Sequence, residues 1–348
     1  MILILPIIFS FIFFLIFTFL LEKYPAYFSR LLDLDFNKPQ SFHKIPTLRI
    51  GGLFILIQLI IIIIFFHTNQ ILLGLIVLSF TNFLLGFLDD TKIIQNPFIR
   101  FFIFILVNLS LIIFFNIKIN NFELIFFDYL NSFNFFSYFI ILFALFFVIN
   151  GSNLIDGFNG LLTIHALIIF SILMYICFKL NLEDFFNYIF VLYCGLFFFL
   201  LLNFPRAKYF LGDNGSFLIG SSLSYFIIMI ANSEISISPF FYAITLYYIF
   251  FEIFFSVFRK LFEKKNPFYA DKFHLHMLIF LYLRSTNNLY KSNYLTSIFI
   301  NIVYLITLMP TIYFYDNTLL CKIYFVILFF FYLFIYLFFR MKCKKLIK

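Results

Sequence analysis

Tryptophan is absent from these 348 residues, cysteine occurs four times, and charged residues make up only 11%. The scarcity of charge decides the class. Soluble domains carry roughly a quarter charged residues, whereas this chain combines 64% hydrophobic residues with a mean hydropathy of +1.07. That excludes an ordinary soluble globular protein and points to a polytopic membrane protein. Cys177, Cys194, Cys321 and Cys343 are scattered in or beside apolar runs without a paired spacing, which excludes a disulfide framework and a cysteine-based zinc site. The Phe and Tyr excess comes with abundant Ile, Asn and Lys. It reads as a compositional bias, so no Phe is informative merely by being Phe.

Apolar runs long enough to span occur at 2–21, 51–66, 71–88, 98–115, 135–149, 161–178, 186–202, 216–231, 239–258, 296–313 and 320–339. With about 17 to 25 residues per crossing, that predicts about eleven transmembrane helices, the second and fifth short. The first run has no Lys or Arg before it and no small-residue cleavage site after it, so it reads as a retained helix. Of the 24 Lys and Arg, all but Lys118, Lys179 and Lys322 fall in alternate connecting segments. By the positive-inside rule those segments are cytoplasmic, with the N-terminus outside and the C-terminus inside. The formal charge of +8 is therefore a topology signal that also suits anionic head groups or an anionic substrate, and it gives no reason to invoke nucleic acid. No repeat is evident and no loop has room for a soluble domain, so the expectation is one all-α membrane domain over 1–348. The basic, amphipathic stretch 259–295 is expected to lie on the membrane surface.

Between two of these apolar runs sits Asn150-Gly-Ser-Asn-Leu-Ile-Asp-Gly-Phe-Asn-Gly-Leu161. Backbone of this kind cannot face hydrocarbon, because its polar groups would go unpaired there. It must lie at the water surface or line a polar cavity. Acidic residues are scarce, yet four separate cytoplasmic segments supply them: Asp89-Asp90, Asp156, Asp213 in Leu-Gly-Asp-Asn-Gly-Ser, and Asp271 beside His274 and His276. Asp89 and Asp90, about 100° apart on a helix, can hold different roles. Scattered single aspartates are the form in which Mg²⁺ is held, since that ion draws its other ligands from water and substrate phosphates. Asp213 also opens a span, where it reads equally as a helix cap or as part of a phosphate site. The two histidines read either as metal ligands, with no Cys or third His to complete a site, or as a phosphate-binding or acid/base pair beside Lys272. Glu252, about 10 Å along a helix from Arg259, faces the bundle interior either as a functional acid or as a hydrogen-bond partner to a neighbouring helix. His165 and Asn108 read as structural.

Taken together, these segments resemble the polyprenyl-phosphate N-acetylhexosamine-1-phosphate transferases, integral membrane enzymes that join the sugar 1-phosphate of a UDP-sugar to polyprenyl phosphate and release UMP. The resemblance runs through His43-Lys-Ile-Pro-Thr-Leu-Arg-Ile-Gly51-Gly52, Asp89-Asp90, Asn150 to Leu161, Asn203 to Ser216, and Asp271-Lys-Phe-His274-Leu-His276. Five segments in the right order, all on the same side, are a specific signal, and the pattern fits the branch that uses UDP-N-acetylhexosamines.

The resemblance implies a Mg²⁺-dependent phosphotransferase, with Mn²⁺ as a substitute, in the inner (plasma) membrane and compatible with a homodimer. It would start cell-surface glycans such as lipopolysaccharide or cell-wall polymers. It implies Asp213 as the main metal ligand, Asp90 and Asp156 completing or orienting metal and diphosphate, and Asp89 accepting a proton from the lipid phosphate. A covalent route through an aspartate is the competing mechanism. It further implies Asn203 and Phe210 at the uracil, His274, His276, Arg259 and Lys44 at phosphates or sugar, and Asn153, Asn159 and Asp271 as further substrate contacts. The chain departs from the family at Asn159, where a second aspartate is common, at Met277 in place of a third histidine, and at Arg206, where a second proline is common. The rival readings are a phospho-N-acetylmuramoyl-pentapeptide transferase, a multi-span transporter with Glu252 as its ion site, and an inactive scaffold.

Overall fold

The computed structural model describes residues 3–34, 45–94, 96–266 and 271–344. In chain order they form α1 (Ile4–Lys23), β1 (Leu32–Asp33), β2 (Thr47–Arg49), α2 (Gly51–Phe65), α3 (Gln70–Asp90), α4 (Pro97–Phe114), α5 (Ile125–Asn131), α6 (Asn134–Ile155), α7 (Leu161–Lys179) and α8 (Glu183–Asn203). There follow β3 (Tyr209–Phe210), α9 (Gly212–Ser233), α10 (Pro239–Thr245), α11 (Tyr247–Phe262), α12 (Leu275–Arg284), α13 (Leu289–Leu308) and α14 (Thr318–Cys343).

Helix starts follow from local chemistry. The Asn69 side chain accepts from Leu72 N at 2.7 Å, Asn288 from Lys291 N at 2.8 Å and Asn317 from Leu320 N at 3.0 Å. Each satisfies an amide that the helix itself leaves without a partner. Asn96 does the same for α4, with Pro97 as the first helical residue, where a missing N–H costs nothing.

Among the described residues nine helices are long and apolar enough to cross a membrane. The predicted span 239–258 is broken into α10 and α11, which meet at 74°. The run 51–66 forms α2, a 15-residue helix shorter than a full crossing. All eleven predicted runs are thus helical, and two of them are not simple straight crossings. A second difference lies within 259–295: α12 buries Leu275 to Phe280 in sequence, so this part of the segment packs into the bundle instead of lying on a surface.

α9 is the axis of the assembly, with 89% of its apolar window buried against 17% for α14. α3 and α6 run along it. The close approach requires small residues: a Cβ on Gly86 would lie 2.3 Å from Asp213 O, and one on Gly220 would lie 2.7 Å from Ile149 Cα. Asn82 and Asn108 exchange amide hydrogen bonds between α3 and α4 at 2.9 and 3.2 Å. His165 lies 3.2 Å from Asn301 Oδ1, whose amide in turn donates to Leu161 O. Both residues tie helices together, as a structural role requires.

The two ends of the bundle differ in chemistry. At one end Asn232 donates to Lys118 O, Ser238 to Glu123, and Lys322 to Glu123 O, while Lys179 lies over the Tyr315 ring. The three basic residues excluded from the main set therefore gather at one end. The aspartate-bearing segments gather at the other. There β1 pairs antiparallel with β2, and β2 parallel with β3, in a sheet of two- and three-residue strands.

Candidate active site

The small sheet sets Arg49 directly opposite Phe210, and Ile50 N donates to Phe210 O at 3.1 Å. This joins the first polar segment to the turn that opens α9. Asn214, in the first turn of α9 and fully buried, is the knot. Its side-chain oxygen accepts from Gly52 N at 2.8 Å, and its amide donates to Arg49 O at 3.1 Å. Asp90, at the end of α3, accepts from both Asn214 N at 2.9 Å and Asn214 Nδ2 at 2.5 Å. The carboxylate on one helix thus caps another, satisfying a free N–H and placing negative charge at the positive end of α9.

Asp90 also pairs with Arg49 Nη1 at 3.2 Å, while Arg49 Nη2 meets Asp33 at 2.7 Å. Burial works against the charge on Arg49, but Asp213, Asp90 and Asp33 around it raise its pKa and hold it ionised. Asp90, 4% exposed, therefore has its donors supplied by the protein and acts on the site by positioning Arg49 and α9. Its helical neighbour Asp89 points elsewhere, into the cleft, where it pairs with Arg100. The 100° separation gave the two aspartates different partners.

The cleft has a volume of about 360 Å³. Its walls bring together Asp89, Asp156, Asp213, Asn153, Asn159, Asn203 and Phe210 with Arg49 and Arg100. The Asp89 and Asp213 carboxylates lie within hydrogen-bond reach of each other. Asn153 Nδ2 donates to Asp213 Oδ1 at 2.7 Å and to Ser216 Oγ at 3.0 Å. Asp156 ends α6, and burial followed by the charges of Asp213 and Asp90 pushes its carboxyl well above the usual range. Two facing carboxylates with a third nearby repel unless a proton or cation joins them. Among the described residues no group of three or more His, Cys, Asp or Glu closes around a metal ion by itself. The side chains of Asp89, Asp156 and Asp213 offer oxygen donors, the kind a hard cation takes alongside water.

Asn203 lines the cleft but is 4% exposed. It accepts from Gly160 N at 2.7 Å and donates to Tyr209 O at 2.9 Å, so both ends of its amide brace the surrounding loops. Asn159 donates to Pro205 O at 3.1 Å, and its backbone N–H reaches Asn293 at 2.9 Å. A carboxylate there would set oxygen against oxygen at Pro205 O. Met277 is a core side chain, 2% exposed.

His274, His276, Arg259 and Asp271 do not line the cleft. They form a second, buried polar cluster behind it. Arg259 Nη2 pairs with Asp271 at 2.8 Å, and the two imidazole rings stack with centroids 5.3 Å apart and planes 6° apart. Glu252, 1% exposed, faces both: its Oε2 is 3.4 Å from His274 Nδ1 and 3.8 Å from His276 Nδ1, and its Oε1 accepts from Leu275 N at 3.1 Å. Burial lowers the His276 pKa to about 4, overriding the pull of Glu252, so the ring is neutral at pH 7. His276 meets the cleft's back wall through the Phe158 ring, at 5.8 Å. Lys44 lies outside the described residues.

Residues 72–231 match glycosyl transferase family 4. That part of the chain is similar to the family. Over 138 residues it is 33% identical to the undecaprenyl-phosphate alpha-N-acetylglucosaminyl 1-phosphate transferase of Thermotoga maritima, covering 39% of this chain and 41% of that protein. Over 75 residues it is 33% identical to the phospho-N-acetylmuramoyl-pentapeptide-transferase of Leuconostoc citreum, covering 22% and 23%. The matched stretches thus span less than half the length of these relatives. Arg49, Arg100 and Asp33 also line the cleft and Asn214 braces it, and the sequence alone did not point to them. Arg49 carried a signal, since it sits in the polar segment before Gly51-Gly52. Arg100 carried none beyond its place near a helix start.

Proposed function

We propose that this chain transfers the sugar 1-phosphate of a UDP-N-acetylhexosamine to a polyprenyl phosphate, releasing UMP, at the cytoplasmic face of the plasma membrane. The observation that carries this reading is the meeting of Asp89, Asp156 and Asp213 with Arg49 and Arg100 in one cleft at the end of a membrane bundle. A reaction between two anions needs such a mixture, because carboxylates hold a cation and arginines receive phosphate oxygens. Asp213, with Asp89 and Asp156 beside it, would hold Mg²⁺ or Mn²⁺. Bound there, the ion offsets repulsion between the substrates and stabilises the leaving phosphate.

Asp89 accepts the proton of the attacking lipid phosphate, and Arg100 keeps that carboxylate oriented. Asp90 holds Arg49 and the start of α9 in register. His274 and His276 support the turn carrying Asp156 from behind. Phe210 offers a ring edge or face to the base. The names of the relatives support both substrate classes, and the gathering of the aspartates and arginines at one end of the bundle speaks against the transporter reading.

The test is Mg²⁺-dependent UMP release in detergent with polyprenyl phosphate and a panel of UDP-N-acetylhexosamines, UDP-N-acetylmuramoyl-pentapeptide included. Asp213→Ala is expected to lower release about 10³-fold. No release with any donor, or release indifferent to that substitution, would overturn the proposal.

A further inference from the structure

Three arginines line the cleft: Arg49, Arg100 and Arg206. The first two are committed to protein carboxylates, Arg49 to Asp33 and Asp90 and Arg100 to Asp89. Arg206 is different. Among the described residues it has no carboxylate partner, and its contact is the Tyr290 ring, over which the guanidinium lies at 5.9 Å from the centroid. Its near neighbour Lys208 is paired with Glu22, so Arg206 is the uncommitted cation of this loop.

The loop that presents it is not loose. Asn159 holds Pro205 O at 3.1 Å, the Phe204 ring meets Tyr294 edge-on at 6.3 Å, and Lys208 N donates to Leu202 O at 2.8 Å. A guanidinium resting on an aromatic face keeps its edge donors free, in the planar fork that matches a phosphate. Holding the side chain in advance also lowers the ordering cost of binding.

We infer that Arg206, seated on Tyr290, is a substrate-binding residue that receives a phosphate group at the cleft mouth. The inference rests on the transfer reaction proposed above. The phosphate belongs either to the nucleotide-sugar or to the polyprenyl phosphate, and kinetics separate the two.

The experiment measures KM for each substrate in wild type, Arg206→Ala, Arg206→Lys and Tyr290→Ala, with thermal unfolding in detergent as the fold control. Loss of a charge-assisted contact at an exposed site is expected to raise one KM about tenfold with kcat nearly unchanged, with a smaller rise for Arg206→Lys and Tyr290→Ala. A rise confined to the nucleotide-sugar assigns the group to the diphosphate, and one confined to the lipid assigns it to the lipid phosphate. Unchanged KM for both substrates in a folded Arg206→Ala protein would overturn the inference while leaving the transferase reading intact. If wild type releases no UMP with any donor, the reaction reading falls, and Arg206 is then judged by inorganic pyrophosphate binding to wild type and Arg206→Ala. Equal binding overturns it, and weakened binding in the variant upholds it.

Discussion

Asp90 on α3 accepts two hydrogen bonds from one residue of α9, Asn214, through its backbone N–H at 2.9 Å and its side-chain amide at 2.5 Å. This single relationship sets the start of the central helix against the end of α3, and with it the separation of Asp89 and Asp213. It also separates two aspartates adjacent in the chain into a brace and a cleft residue.

Asp90→Ala should destabilise the protein by about 3 kcal/mol, because it leaves the buried Asn214 N–H without its acceptor and Arg49 with Asp33 alone as its carboxylate partner. Asp213→Asn should cost far less stability while removing activity. Thermal unfolding of both variants in the same detergent checks this, and equal losses would contradict the division of roles.

The raised pKa of Asp156 carries a sign that can be tested. Its folded form prefers the protonated carboxyl, so its contribution to stability is fully present below the ordinary carboxylate range near pH 3.9 and declines as pH rises toward the folded value. Asp156→Asn should therefore raise the Tm at pH 7.5 in the absence of divalent cations and leave it nearly unchanged at pH 4. Added Mg²⁺ should stabilise wild type more at pH 7.5 than at pH 5.

Glu252→Ala should remove the acceptor of Leu275 N–H and the carboxylate that faces the two imidazoles, at a cost of about 2 kcal/mol for the buried donor left unpaired. Glu252→Gln should recover part of the loss, since its amide oxygen still accepts. Denaturation midpoints of the pair decide it: a Gln variant no better than Ala would show that the acceptor is not what matters.

Asn159→Asp is expected to lower stability by about 1 kcal/mol, because a carboxylate cannot donate to Pro205 O and is repelled by it. The measurement is the Tm of the variant at pH 7.5 and pH 4. Recovery at the lower pH, where the acid is protonated and donates, is the expected signature.

The class of the protein was legible in its composition, because lipid replaces water around most of the chain and only long apolar helices satisfy their backbone there. The separation of basic residues between the two ends was also legible, as was the set of aspartate-bearing segments, since charge near a membrane is confined to few places. The bend between α10 and α11 was not, because the hydropathy of 239–258 is continuous and says nothing of direction. Nor were the roles within the site. Asp89 and Asp90 are identical in type, and only the packing of α3 on α9 turned one inward to Asn214 and the other to Arg100. Asn203 and Asn159 both line the cleft, and only the fold shows that their side-chain amides also donate to neighbouring backbone carbonyls. Arg49 reached the cleft by pairing with residues 209–210, far along the chain. Residue type set which chemistry was available at one end of the bundle; partner and orientation were left to tertiary packing, because a buried polar group takes whichever donor or acceptor the fold brings within about 3 Å.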